Sequence, residues 1–134
     1  MFRKLFSKRT AATPLNGAPR QPREKIYSAQ SGYVYHYFYR GLRVREEGQA
    51  ATEFVFHISA DRKNWRETSV RQRHAGIAEW ESANQRTLTS AERYAITKLA
   101  LFQAFDDRVT PDAVDSVLEV GLAEIGAIVE TLGL

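Results

Sequence analysis

The sequence predicts an α+β domain: a three-stranded antiparallel meander covered on one face by two or three C-terminal helices, behind a disordered basic N-terminal tail. Three observations carry that prediction. Between residues 33 and 71 apolar side chains recur at every second position, the period of a strand. From residue 74 onward they recur at three and four, the period of a helix. Residues 10–22 hold three prolines, a glycine and small residues, with almost nothing to bury.

The chain divides accordingly into a flexible basic tail and linker, residues 1–28, and a single α+β domain, residues 29–134. That domain is long enough to bury a self-sufficient core. Cysteine is absent, which removes disulfides, thiol nucleophiles and thiolate metal sites and fits a reducing compartment. A cytoplasmic location is expected. The alternative, in a eukaryote, is organellar import, because the first 23 residues are basic, contain Ser and Thr and hold no acid. No stretch approaches the ~20 apolar residues that span a bilayer, and residues 1–9 lack the apolar run of a secretory signal.

Net charge is +3, unevenly spread: residues 1–25 carry seven basic groups against Glu24, and residues 106–134 carry Arg108 against seven acids. The tail therefore suits an acidic partner: nucleic acid, an anionic membrane, or the acidic end of this chain or a neighbour. Phe2, Leu5 and Phe6 would share one side of a short helix with basic groups around them, the pattern of a peripheral membrane contact. The plainer reading is a solvated tail, since about two and a half turns are marginal as an isolated helix.

The first strand holds Tyr33, Tyr35, Tyr37 and Tyr39 on one face and Val34, His36, Phe38, Arg40, Leu42 and Val44 on the other. The second set is expected to face the core, because Leu42 and Val44 extend it with aliphatics while the tyrosine face runs into Gly41, Arg43 and Arg45. A bulge at Gly41 would exchange the faces. After a turn at residues 46–49, a second strand at 53–59 alternates Phe54, Phe56 and Ile58 with more polar neighbours, and a third follows at 65–71 beyond turn formers at 60–64. Pairing by pattern sets Phe54 opposite Val70, Phe56 opposite Thr68, Glu53 opposite Arg71 and His57 opposite Glu67. One face is then apolar and the other charge-paired.

Residues 74–83 read as a short helix carrying Ile77 and Trp80. Thr89, Ser90, Ala91 and Glu92 form a capping box that opens a helix over 90–105. Lys98 falls in the middle of its apolar stripe, where a lysine snorkels, pairs with a carboxylate, or is desolvated and lowered in pKa. Thr110 as cap and Pro111 at the first position predict a last helix reaching about residue 131. It would gather Asp112, Asp115, Glu119 and Glu130 on one side, and a strip of Ala113, Val120, Ala123 and Ala127 that admits another helix, including one from a second copy.

The familiar catalytic and metal spacings are missing, so no catalytic, metal or cofactor residue is assigned. His36 and His57 could meet on neighbouring strands, though a metal would need further ligands. The expected function is that of a non-enzymatic, small intracellular binding or adaptor module for a protein partner. Its contact surface would be the aromatic sheet face, Tyr33, Tyr35, Tyr37 and Tyr39 with Arg43 and Arg45, or the C-terminal helix. The alternative is nucleic-acid binding, with tyrosines stacking bases and Arg40, Arg43, Arg45, Arg62, Lys63 and Arg66 on phosphates. An enzyme using Lys98 or the histidines comes third.

Overall fold

A computed structural model describes residues 15–134. The expected membrane contacts Phe2, Leu5 and Phe6 lie outside the described residues. The fold is α+β, as expected, but the sheet has five strands rather than three: β1 (Lys25–Ser28), β2 (Val34–Arg45), β3 (Ala51–Ser59), β4 (Arg66–Arg73) and β5 (Val117–Val120), in that spatial order. Helices α1 (His74–Asn84), α2 (Ser90–Asp107) and α3 (Leu122–Leu132) complete it.

Strand β1 comes from residues the sequence placed in the linker. It pairs antiparallel with β2, Ile26 opposite His36 and Tyr27 opposite Tyr35. Gly32, at a φ of 98°, lets the chain reverse between them. Upstream, Asn16 exchanges two backbone hydrogen bonds with Leu42, at 2.7 and 2.8 Å. The described part of the presumed tail is thus held against the sheet edge.

The meander β2–β3–β4 carries the expected register in its second hairpin: Phe54 opposite Val70, Phe56 opposite Thr68, Glu53 opposite Arg71 and His57 opposite Glu67. Strand β2 overturns the expected orientation. Its tyrosines face the helices, with Tyr35 0% and Tyr37 3% exposed. The ring of Tyr35 stacks on Phe105 of α2 at 3.9 Å. The physical reason is a bulge: the register shifts between Tyr39, opposite Phe56, and Gly41, opposite Val55. The extra residue brings Leu42, opposite Phe54, onto the tyrosine side, so aromatic and aliphatic positions share one face. Gly41 is required there. Its φ is +116°, and a Cβ would stand 2.7 Å from the carbonyl oxygen of Asn16.

Helices α1 and α2 begin as the sequence indicates. Ile77 and Trp80 of α1 are buried, and in the capping box Glu92 N donates to Thr89 Oγ1 at 3.1 Å while Thr89 N donates to Glu92 Oε1 at 2.9 Å. The last predicted helix is corrected. Residues Pro111–Ala113 make one 3-10 turn, Val117–Val120 form β5 parallel to β4, and only then does α3 start. Thr110 and Pro111 open that turn and not a long helix, which splits the predicted strip of Ala113, Val120, Ala123 and Ala127 between separate elements. Ser69 N bonding to the Ser116 carbonyl at 2.9 Å and Thr68 Oγ1 to that of Asp115 at 2.5 Å draw this segment onto the free edge of β4. The core lies between the sheet and the helices: Tyr35, Phe54, Phe56, Ile58 and Val70 from the strands meet Trp80, Ile96, Leu101, Phe105, Ile125 and Val129.

Candidate functional site

The helices occupy one face of the sheet, and the other carries the charge-paired positions of β2, β3, β4 and β5. Alternation puts Arg43 and Arg45, Glu53, Glu67, Arg71 and Arg73, and Glu119 there. At the centre is Glu53, whose carboxylate is 2% exposed although no helix lies on it. Arg43 Nε donates to it at 3.0 Å and Arg71 at 2.8 and 2.7 Å, with Arg45 Nε at 3.5 Å. Burial pushes the Glu53 carboxyl up, but the hydrogen bonds from Arg43 and Arg71 outweigh it and hold the group below the usual carboxylate range. The ladder extends outward: Arg43 to Glu67 at 3.1 Å, Arg71 to Glu119 at 2.8 Å and Arg73 to Glu119 at 3.0 Å.

Beside Glu53 lies a cleft of about 320 Å³ lined by Arg45, Glu47, Gln49, Arg71 and Arg73. Toward the other end the same face becomes apolar. Phe38 packs on Trp65 with ring centres 5.3 Å apart, and Val34 and Ile26 are 44% and 63% exposed. His36 Nδ1 sits 2.7 Å from Glu24, which Arg62 also holds at 2.9 Å. His36 stands opposite Ser59 while His57 stands opposite Phe38, so the two rings are diagonal neighbours. The third histidine, His74, shares a 2.8 Å hydrogen bond with Thr52 on the helix side. Among the described residues no group of three or more His, Asp or Glu is gathered to hold a metal ion.

The structure thus brings Arg43 and Arg45 together, and separates them from the tyrosines with which the sequence grouped them. Tyr33 is exposed just ahead of β2, Tyr35 and Tyr37 are buried, and Tyr39 is half-buried. Arg71, Arg73 and Glu119 were missed as site residues. Arg71 was within reach of sequence reasoning, since its pairing with Glu53 already marked the charged face; Glu119 was hidden by the assignment of β5 to a helix.

Lys98 has no carboxylate partner among the described residues. Its Nζ lies 5.3, 5.4 and 5.3 Å from the ring centres of Tyr37, Tyr94 and Phe102, a cation–π setting. Burial and the nearby Lys25 both lower its pKa. Tyr37 and Tyr39 are pushed up to about 12 by burial and by Tyr94. No protein-family model, curated protein or solved structure matches the chain.

Proposed function

We propose that the protein is a small, non-enzymatic binding module that takes an acidic segment of a protein partner on the helix-free face of its sheet, at the cleft between Arg45, Arg71 and Arg73. The observation that carries this reading is the buried Glu53 carboxylate shared by three arginines. Each guanidinium has five donors in a fixed fork; Glu53, Glu67 and Glu119 take several of those of Arg43, Arg71 and Arg73, while Arg45, half-exposed, keeps most of its own. Fixing Arg43 and Arg71 beforehand reduces the side-chain freedom lost on binding. The remaining donors suit bidentate recognition of a partner's carboxylates. The apolar end, Phe38, Trp65, Val34 and Ile26, supplies the aromatic and aliphatic contact that such interfaces combine with arginine.

Nucleic-acid binding is the second reading, favoured by the same excess of arginine beside an aromatic pair. Glu67 and Glu119, half-exposed on the same face, repel a phosphate backbone and an acidic segment alike, so the salt dependence of binding and not the charge of the face separates the two readings. Fluorescence anisotropy with an acidic peptide alternating Glu and Leu, and with a single-stranded DNA oligonucleotide over a salt series, separates the two. The expected result is peptide binding that falls at least tenfold in an Arg45→Glu/Arg73→Glu variant of unchanged melting temperature, with little DNA binding at about 0.15 M salt. Tighter DNA binding with a steep salt dependence would replace the first reading by the second. Binding of neither, or an unaffected variant, removes this face as the contact.

A further inference from the structure

On the helix side of the sheet, where β2 ends its tyrosine run, an open cleft of about 250 Å³ is lined by Pro19, Gln21, Arg23, Lys25, Tyr37, Tyr39 and Tyr94. The chain between residues 19 and 25 forms one wall. Tyr37 and Tyr39 of β2 and Tyr94 of α2 supply the aromatic surface, Tyr39 and Tyr94 meeting edge to face with ring centres 5.0 Å apart. Lys98, one turn along α2 from Tyr94, places its ammonium against Tyr37 and Tyr94 at 5.3 and 5.4 Å.

The lining cations of this cleft, Arg23 and Lys25, and the adjoining Lys98 have no counter-ion among the described residues. The ion pairs of the described residues involve other groups throughout, and Arg23, Lys25 and Lys98 enter none of them. The rings offset the charge of Lys98 through their negative faces. Lys25 opposes it: its charge adds to burial in disfavouring the protonated amine. A half-buried lysine on aromatic rings, with a second cation beside it, lacks a counter-ion among the described residues. Elsewhere the same molecule neutralises its buried charge with care, as around Glu53. Tyr37 and Tyr39, with pKa values near 12, remain protonated and able to donate to an anion's oxygens.

We infer that this cleft binds a small aromatic anion, a planar ring carrying a phosphate or carboxylate group. The anionic group would sit against Arg23 and Lys25 of the lining, with Lys98 adjoining at the rings of Tyr37 and Tyr94, and the ligand's ring against the tyrosines. The volume sets the size, lying just under the roughly 300–1,000 Å³ of sites for drug-sized ligands, and so admits a single substituted ring. Inorganic anions would meet the charge but leave the aromatic surface unused.

Calorimetric titration of the full chain with phenyl phosphate tests this, with phenylacetate and inorganic phosphate as parallel arms. At least one aromatic anion should bind tenfold or more tightly than inorganic phosphate, and the stronger of the two names the headgroup. Lys98→Met should weaken that binding tenfold or more, the usual worth of one charge-assisted contact, and Tyr94→Leu should weaken it severalfold. Arg45→Glu/Arg73→Glu should bind as the wild type does, which keeps this site distinct from the arginine face. Should Lys98→Met fail to fold, Arg23→Ser/Lys25→Ser on two exposed residues gives the same reading. Equal affinity for inorganic and aromatic anions, unchanged affinity in these lysine or arginine variants, or no binding up to about 10 mM ligand would overturn the inference.

Discussion

Strand β3 shows the two faces of this sheet in one stretch of chain. Its even-numbered residues Phe54, Phe56 and Ile58 are sealed by helices. Its odd-numbered residues Glu53 and Val55 are as well hidden, at 2% and 1% exposure, with no helix above them. One face is closed by helices; on the other, Glu53 is enclosed by the guanidinium groups of Arg43, Arg45 and Arg71, and Val55 lies opposite Gly41, against which residues 15–18 pack. An apolar face needs a covering layer; a charge-paired face can cover itself. That difference leaves the second face without a helix over it.

Substitutions can break this comparison, and the largest effect belongs to the sealed face. Phe56→Ala should lose about 3–5 kcal/mol in urea unfolding by opening a core cavity, and a loss below about 1 kcal/mol would mean that the sheet is assembled the other way round. Gly41→Ala follows, at about 2–3 kcal/mol, because alanine is strained at a φ of +116° and its Cβ meets Asn16. A neutral result by thermal melting would detach the segment around Asn16 from the sheet and remove the bulge as the reason for the tyrosine orientation.

On the charge-paired face, Glu53→Gln should lose about 2 kcal/mol, less than the ~3–5 of a fully enclosed pair because the arginines still touch solvent. The pH dependence sharpens this test. The folded pKa of Glu53 lies below its unfolded value, so its contribution is complete above about pH 4.3 and fades as pH falls through the folded pKa. The difference between wild type and variant should therefore narrow on acidification; a difference constant with pH would assign it to packing. The smallest effect is expected from Tyr35→Phe. The Tyr35 hydroxyl is buried without a hydrogen-bond partner among the described residues, so its removal should be neutral or stabilising by up to about 1 kcal/mol, and a melting temperature lowered by several degrees would reveal a partner for it.

How far the sequence could be read followed from how many constraints each segment carried. The β3–β4 hairpin was legible to the residue because both of its faces were patterned: apolar against apolar and Glu53 against Arg71 leave one register. Strand β2 had a pattern on each face and one irregularity, Gly41, whose effect depends on Asn16, a residue 25 positions earlier that no local rule connects to it. Residues 114–120 space their valines by three, as a helix would, and the free edge of β4, a tertiary fact, decides for the strand. Strand β1 is four residues long, too short for periodicity, although the Gly32 turn followed by alternating aromatics was a hairpin signal. Of the candidate sites, Lys98 stood out as a charge in an apolar stripe, but its neighbour Lys25, and Arg23 of the adjoining cleft, come from the stretch whose prolines read as linker.

The parallel pairing of β4 and β5 also sets an order of events in folding. Arg71 and Glu119, joined across it, are 48 positions apart, with α1 and α2 between them, whereas the hairpins of β2, β3 and β4 close over short turns. Local hairpins form in microseconds, and contacts of long sequence separation wait for the intervening chain to be ordered. On a ribosome, β4 emerges well before β5, and until the later strand docks its outer edge is a row of unpaired amides and carbonyls open to any extended chain nearby. The nascent protein is therefore most exposed to mispairing in the interval between the completion of its hairpins and the arrival of residues 117–120.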